Sequence, residues 1–275
     1  MVDNIFLSTT QSSLLQSTQQ TAFVRQRSSE ALSTGRRVNE PRDEPVDYFR
    51  AQALLSRLSD LGEVKSSISL GQNTIQASSS GLDAVEDLGN LLKGIANSAK
   101  TAESAVERDA LVTQFNEISS QIDNLVGDTS FLGTNLLETT SSRLNTQVGD
   151  SSSSTLLTEG SNNTIAGLGI GDASADYNGF ATLSDIDAAI SAVDQAIATT
   201  RSTQADYATD LAILNTREDF VDDLSAELQR GVDQTVNADL NEEAATQLAA
   251  QVRSSLATTG QRILAEGQSL LVSIF

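Results

Sequence analysis

Two long stretches of this chain repeat apolar residues every seven positions, and that repeat limits the fold more than any other feature. In the first, Leu54, Leu61, Ile68, Ile75 and Leu82 form one row, and Val64, Gly71, Ser78, Val85 and Leu92 follow a second. In the other, Ile186, Val193, Thr200, Tyr207, Leu214, Val221 and Leu228 form one row. Ile190, Ile197, Gln204, Leu211, Glu218, Ser225 and Val232 form its companion, with polar interruptions in the middle. Spacings of three and four residues keep both rows on one side of a helix and select nearly aligned helices with a left-handed twist. Residues 104–126 repeat the idea with Leu111, Ile118 and Leu125 alternating with Phe115 and Ile122, and Gly127 is expected to close that helix. Gly62, Gly71, Gly81 and Gly89 lower helix propensity but admit a close neighbour.

The ends are weaker. Residues 5–34 predict a helix whose apolar side chains, among them Leu7, Leu14 and Phe23, are thinly scattered among Ser, Thr and Gln. Such a helix is marginal in water without a packing partner. Gly35 is placed to end it. Residues 35–44 form a connector, and both prolines of the chain, Pro41 and Pro45, lie here or at its edge. Pro45 suits the first turn of the next helix, where a missing N–H costs nothing. Beyond a break at 237–239, capped by Asp239 with Glu242, a last helix carries Leu240, Ala244, Leu248, Val252 and Leu256, then Ile263, Leu270 and Ile274. Its steps of four twist the stripe the other way from a heptad.

Between the heptad stretches lie residues 128–183, rich in Gly, Ser, Thr and Asn, which predict turns and one or two β-hairpins. Ser184 with Asp187 resembles a capping box for the helix that follows. The expected fold is mainly α: a long antiparallel coiled-coil-like helical bundle with a small β-hairpin and loop region in mid-chain. Its domains are discontinuous. Residues 1–44 and 237–275 form the terminal helices with a linker at 35–44, and residues 45–236 form a helical rod carrying the 128–183 insert.

Composition narrows the function. Aromatics are 4 %, and His, Cys and Trp are absent. The commonest general base and the strongest common nucleophile are therefore missing, which argues against an enzyme. The acidic groups Asp83, Glu86 and Asp87, and Asp219, Asp222 and Asp223, read as solvated helix faces. The glycine run at 167–171 lacks a dinucleotide fingerprint. No cofactor or metal is expected. A net charge of −20 argues against nucleic acid and anionic membrane as partners. The first residues show no cleavable signal, and no stretch approaches the ~20 apolar residues of a membrane helix.

LSTGRRVNEPRDEP, at 32–45, resembles the N-terminal region of bacterial flagellins, which carries Leu-Ser-x-Gly-x-Arg-x-Asn followed by Asp-x-Pro. Leu32, Ser33, Gly35, Arg37, Asn39, Asp43 and Pro45 occupy those positions. TSFLGTNLL, at 129–137, is similar to the family's Thr-x-Phe-x-Gly-x-x-Leu segment, and residues 239–275 look like its C-terminal helix. The resemblance implies a hairpin-like filament subunit, short and without large outer domains, exported without a cleaved signal to an extracellular flagellum. Its partners would be further copies of itself or related flagellins, the export machinery, and cap and hook-junction proteins. Terminal helices would fold on assembly into an inner tube, with Leu7, Leu14, Leu248, Val252, Leu256, Ile263 and Ile274 as candidate subunit contacts. Gly35, Arg37, Asn39, Pro41, Asp43 and Pro45 would form a spoke. Ser151, Ser152, Ser153 and Ser154 are candidate glycan sites, and Asn162 begins an Asn-x-Thr triplet. The receptor-recognised Arg-Glu-Leu-Ala-like run of some flagellins is replaced here by Leu91-Leu92-Lys93-Gly94-Ile95. A hook–filament junction protein and a coiled-coil adhesin are the alternatives.

Overall fold

In a computed structural model, the backbone is described for residues 9–274 and the side chains for residues 12–266. Six helices appear in that span: α1 (Thr9–Thr34), α2 (Pro45–Thr101), α3 (Ala105–Asp128), the short α4 (Ile165–Leu168), α5 (Leu183–Val236) and α6 (Leu240–Ile274). Strands β1 (Arg143–Gln147) and β2 (Thr155–Glu159) form one antiparallel hairpin, pairing Arg143 with Glu159 and Gln147 with Thr155. The mainly α fold with a small mid-chain hairpin is the one the heptads predict. The chain divides into two compact units, residues 57–225 and residues 1–56 with 226–275.

In the 57–225 unit, the heptad rows are the core. Leu61, Val64, Ile68, Ile75, Leu82, Val85 and Leu92 of α2 are buried, as are Ile186, Val193, Thr200, Tyr207, Leu214 and Val221 of α5. A polar ladder runs along the edge of this pair. Lys65 meets Asp222, Gln72 meets Asn215, Asp83 meets Gln204, Glu86 meets Arg201, Lys93 meets Asp194 and Lys100 meets Asp187. The residue numbers of every pair sum to 287, so one unbroken antiparallel register holds from Lys65 to Lys100. Three of the six clustered acidic residues, Asp83, Glu86 and Asp222, are therefore rungs rather than purely solvated groups. One rung has its charges reversed. Slipping the helices by a heptad sets Glu86 against Asp194 in one direction and Lys93 against Arg201 in the other. Like charges thus oppose both slips, the role e and g positions play in coiled coils.

α3 packs through Val112, Phe115, Ser119, Ile122 and Val126. Phe115 and Ile122 were in the expected row, but Leu111, Ile118 and Leu125 are only half-buried, so the inner face is rotated one residue onward. Gly127 lies inside α3. The helix ends at Thr129, whose N–H and hydroxyl both donate to the Leu125 carbonyl. Phe115 sits edge-on to Phe180, ring centres 5.6 Å apart. Small α2 residues let the insert approach: an added Cβ on Gly71 would lie 2.5 Å from Thr146 Oγ1 of β1, and one on Gly81 would lie 2.7 Å from Thr129. Nothing lies within 4 Å of such a Cβ on Gly62, so that glycine admits no neighbour. The capping pair of α5 is Thr182 with Asp185, two residues before the expected Ser184 with Asp187. The Asp185 carboxylate accepts from the Thr182 N–H at 3.0 Å, and the Asp185 N–H donates to the Thr182 hydroxyl at 3.3 Å.

Candidate subunit interface

In the other unit, α1 and α6 lie antiparallel. The end of α1 is tied beside the start of α6 by an Ala238 N–H to Gly35 carbonyl bond of 3.0 Å. Their contact is built from small side chains. Ser28, Ala31 and Ala250 are buried, and Thr21, Val24, Thr246, Ser254 and Ala257 are half-buried. Steps of three and four separate these positions on each helix, so the two can lie close together over a narrow, weakly apolar seam.

The larger apolar groups of α6 are left outside that seam. Leu248 is 64 % exposed, Leu256 66 % and Ile263 64 %, with Val252 and Leu240 about half exposed. These side chains form an exposed apolar stripe on a helix that is packed on its other side. Of the other candidate contacts, Leu14 is half-buried toward the helix pair. Leu7 lies outside the described residues, as does the side chain of Ile274.

The connector is a tight knot. Gly35 takes φ +71°, a left-handed conformation glycine adopts at little cost, and its N–H closes α1 on the Ala31 carbonyl. Arg37 joins three segments. Its N–H donates to the Val236 carbonyl at 2.7 Å, and its guanidinium donates to the Thr235 carbonyl at 2.9 Å, to Asp47 at 3.0 Å and to Glu44. These bonds raise the Arg37 pKa, Glu44 contributing most and Asp47 next, and the Arg37 bond in turn lowers that of Asp47. The Asn39 amide donates to Thr34 and to the Arg36 carbonyl. Pro41 stands second in a turn closed by the Asp43 N–H on the Glu40 carbonyl. The Asp43 carboxylate accepts from the Glu40 and Asn39 N–H groups, which lower its pKa in that order. Pro45 is the first residue of α2. Beneath the knot, Val38, Ala51, Val232 and Val236 form a small core. Sequence reasoning missed the Thr235 and Val236 carbonyls as partners of Arg37, because nothing local marks contacts almost 200 residues away.

A family model for the N-terminal helical region of bacterial flagellins matches residues 5–142. The chain belongs to the bacterial flagellin family. Flagellin FljM of Caulobacter vibrioides is 25 % identical over 245 residues, covering 89 % of this chain and 88 % of that protein. A flagellin of Brucella melitensis is 23 % identical over 252 residues, covering 89 % of each. A solved putative flagellar hook-associated protein from Vibrio parahaemolyticus covers 71 % of this chain and all of its own, with a TM-score of 0.60 at 11 % identity, a likeness of fold. Among the insert residues, Ser151, Ser152 and Ser153 are exposed at the turn between β1 and β2, while Ser154 is half-buried. The Asn162 side chain is taken up by Thr164, whose hydroxyl donates to it at 2.7 Å. Lys93, in the stretch that replaces the receptor-recognised run, is a rung of the ladder to Asp194. Among the described residues, no group of acidic side chains is arranged to hold a metal ion, and no helix is long and apolar enough to cross a membrane.

Proposed function

We propose that this chain is the structural, non-enzymatic subunit of an extracellular bacterial flagellar filament, and that the exposed α6 stripe is buried against other copies. The observation that carries the reading is the direction of that stripe. Leu248, Val252, Leu256 and Ile263 face solvent while small residues hold α6 to α1. Full burial of a leucine-sized side chain is worth about 1.5–3 kcal/mol, so the exposed part of each leaves about 1–2 kcal/mol to be gained on assembly. Repeated along a lattice that does not close on itself, such contacts give a filament.

In this reading the 1–44 and 237–275 segments form the inner layer and 45–236 the rod. The 35–44 knot is the spoke that joins inner layer and rod. The thin α1–α6 seam supports little structure in a lone subunit, so the terminal helices gain order on assembly. Export precedes folding. The flagellar export machinery, cap and hook-junction proteins are the partners, and the serines at 151–153 are the surface where a glycan would sit.

The test is electron microscopy of the purified full chain with and without short filament seeds, beside circular dichroism of the monomer. Long filaments with helicity rising on assembly are expected. Leu256→Asp changes an exposed site and should leave the monomer spectrum intact while abolishing elongation, since assembly would bury an unpaired charge. A variant that elongates normally removes α6 from the interface.

A further inference from the structure

Charge is divided unequally along this chain. Residues 57–225 hold 25 acidic and eight basic side chains, a net −17 of the total −20, and the rest of the chain is only −3. Six of those eight cations are already held in ion pairs: Arg57 with Asp150, Lys65 with Asp222, Lys93 with Asp194, Lys100 with Asp187, Arg143 with Glu159, and Arg201 with Glu86. The rod therefore keeps a large surplus of carboxylates. In the other unit Arg25 and Arg36 are exposed and make no ion pair among the described residues. Arg42 and Arg50 pair only with their chain neighbours Glu40 and Asp47.

The surplus carboxylates of the rod and the loosely held arginines of the other unit each sit beside an exposed apolar patch. At the start of α2, Val46, Phe49, Arg50 and Ala53 share one helix face by their spacing, and Phe49 is 61 % exposed. On α5, Ile213 and Phe220 lie seven residues apart on one face, and Phe220 is 55 % exposed. Asp206, Asp219, Asp222 and Asp223 are exposed in the same stretch, and Arg217 is its single cation.

We infer that the arginine-bearing face of α2 at Val46, Phe49 and Arg50 docks, in a second copy of this chain, on the acidic α5 face at Ile213 and Phe220. The two faces differ, so the contact is head-to-tail and each copy keeps one of each free for the next. Buried aromatics supply the affinity, and the surrounding charges set the approach and the register. The inference rests on the filament reading for its polymer but names a different contact from the α6 stripe.

The chain has no cysteine, so introduced thiols are unique. The full chain carrying Ala53→Cys and Thr216→Cys, treated with a short bis-maleimide, should give a ladder of covalent multimers, while each single variant should give none. Arg42→Glu with Arg50→Glu should slow seeded elongation about tenfold or more at low salt, and less at high salt. Adding Asp219→Arg and Asp223→Arg to the same chain should recover the rate. Phe220→Ala should slow elongation at every salt concentration with an unchanged monomer spectrum. Filaments without a double-cysteine ladder, or elongation indifferent to these changes, would overturn the docking. A ladder from a chain that never forms filaments would uphold the docking and discard the filament reading.

Discussion

Replacing Gly71 with alanine opposes two effects of similar size. Gly71 lies inside α2, where alanine is preferred to glycine by about 1 kcal/mol. The new Cβ, however, would stand 2.5 Å from Oγ1, 2.8 Å from Cγ2 and 3.2 Å from Cβ of Thr146. Thr146 is buried on β1 and β-branched, so its side chain has little room to turn away. Overpacking of this kind costs about 1–3 kcal/mol. Gly71→Ala should therefore come out between neutral and about 2 kcal/mol destabilising. Thr146→Ala should fall between neutral and about 2 kcal/mol stabilising. It loses a methyl worth about 1 kcal/mol, but it also removes a buried hydroxyl that has no hydrogen-bond partner, whose burial costs about 1–3 kcal/mol. In the Thr146→Ala background, Gly71→Ala should then stabilise by about 1 kcal/mol, because the helix preference remains and the clash is gone. The double-mutant cycle should report a coupling of about 1–3 kcal/mol, measured by urea unfolding of the full chain. Protection of the Gln147 amide, which donates to Ser67 Oγ at 3.0 Å, locates the effect at the hairpin. Effects that add to within about 0.5 kcal/mol would refute the close approach of β1 to α2.

Four further expectations follow from the geometry. Gly35→Val should destabilise the connector by about 1–2 kcal/mol, because φ is +71° and no neighbour crowds the site; a melting temperature equal to wild type would count against the strained turn. Asp43 and Asp47 have lowered pKa values, so their stabilising effect is full above the ordinary carboxylate pKa of about 4 and is lost as pH falls below it. Acid unfolding followed by circular dichroism should be less steep in Asp47→Asn, and parallel curves would argue otherwise. Glu86→Arg should lower the melting temperature and adding Arg201→Glu should restore most of it; a double variant no better than the worse single one would remove that rung from the register. Tyr207→Phe should cost only about 1 kcal/mol in thermal unfolding, because the Leu136 carbonyl that accepts its hydroxyl also accepts the Ser161 N–H at 2.8 Å, and a loss above 3 kcal/mol would disprove that sharing.

Much of the rod was legible because a heptad is a long signal: each row of α2 or α5 repeats its message many times. Where the pattern was short it misled. In α3 the true inner face includes Ser119, which carries far less hydropathy than its neighbour Ile118, and Val112, which is smaller than its neighbour Leu111. At the start of α5 two overlapping Ser/Thr-x-x-Asp matches compete. The choice of Thr182 follows from the buried Phe180 just upstream, held at φ +58° by its place against Phe115. The α1–α6 seam was unreadable for a different reason. Thr21, Ser28, Thr246 and Ala250 are small and polar or nearly so, and their shared spacing carries no apolar signal. The outward stripe of α6 was visible as a pattern, but which way it faced is decided by where α1 lies.

The ladder from Lys65 to Lys100 fixes alignment from within the rod, rung by rung, and none of its rungs involves the exposed tip between β1 and β2. Extra residues at the exposed tip between β1 and β2 would change neither the pairing of Glu86 with Arg201 nor that of Lys100 with Asp187, and lengthening a loop adds little closure entropy. The tip is thus a place where this chain can lengthen, shorten or change its outward chemistry over generations while every copy still matches the shape its neighbours were built to receive.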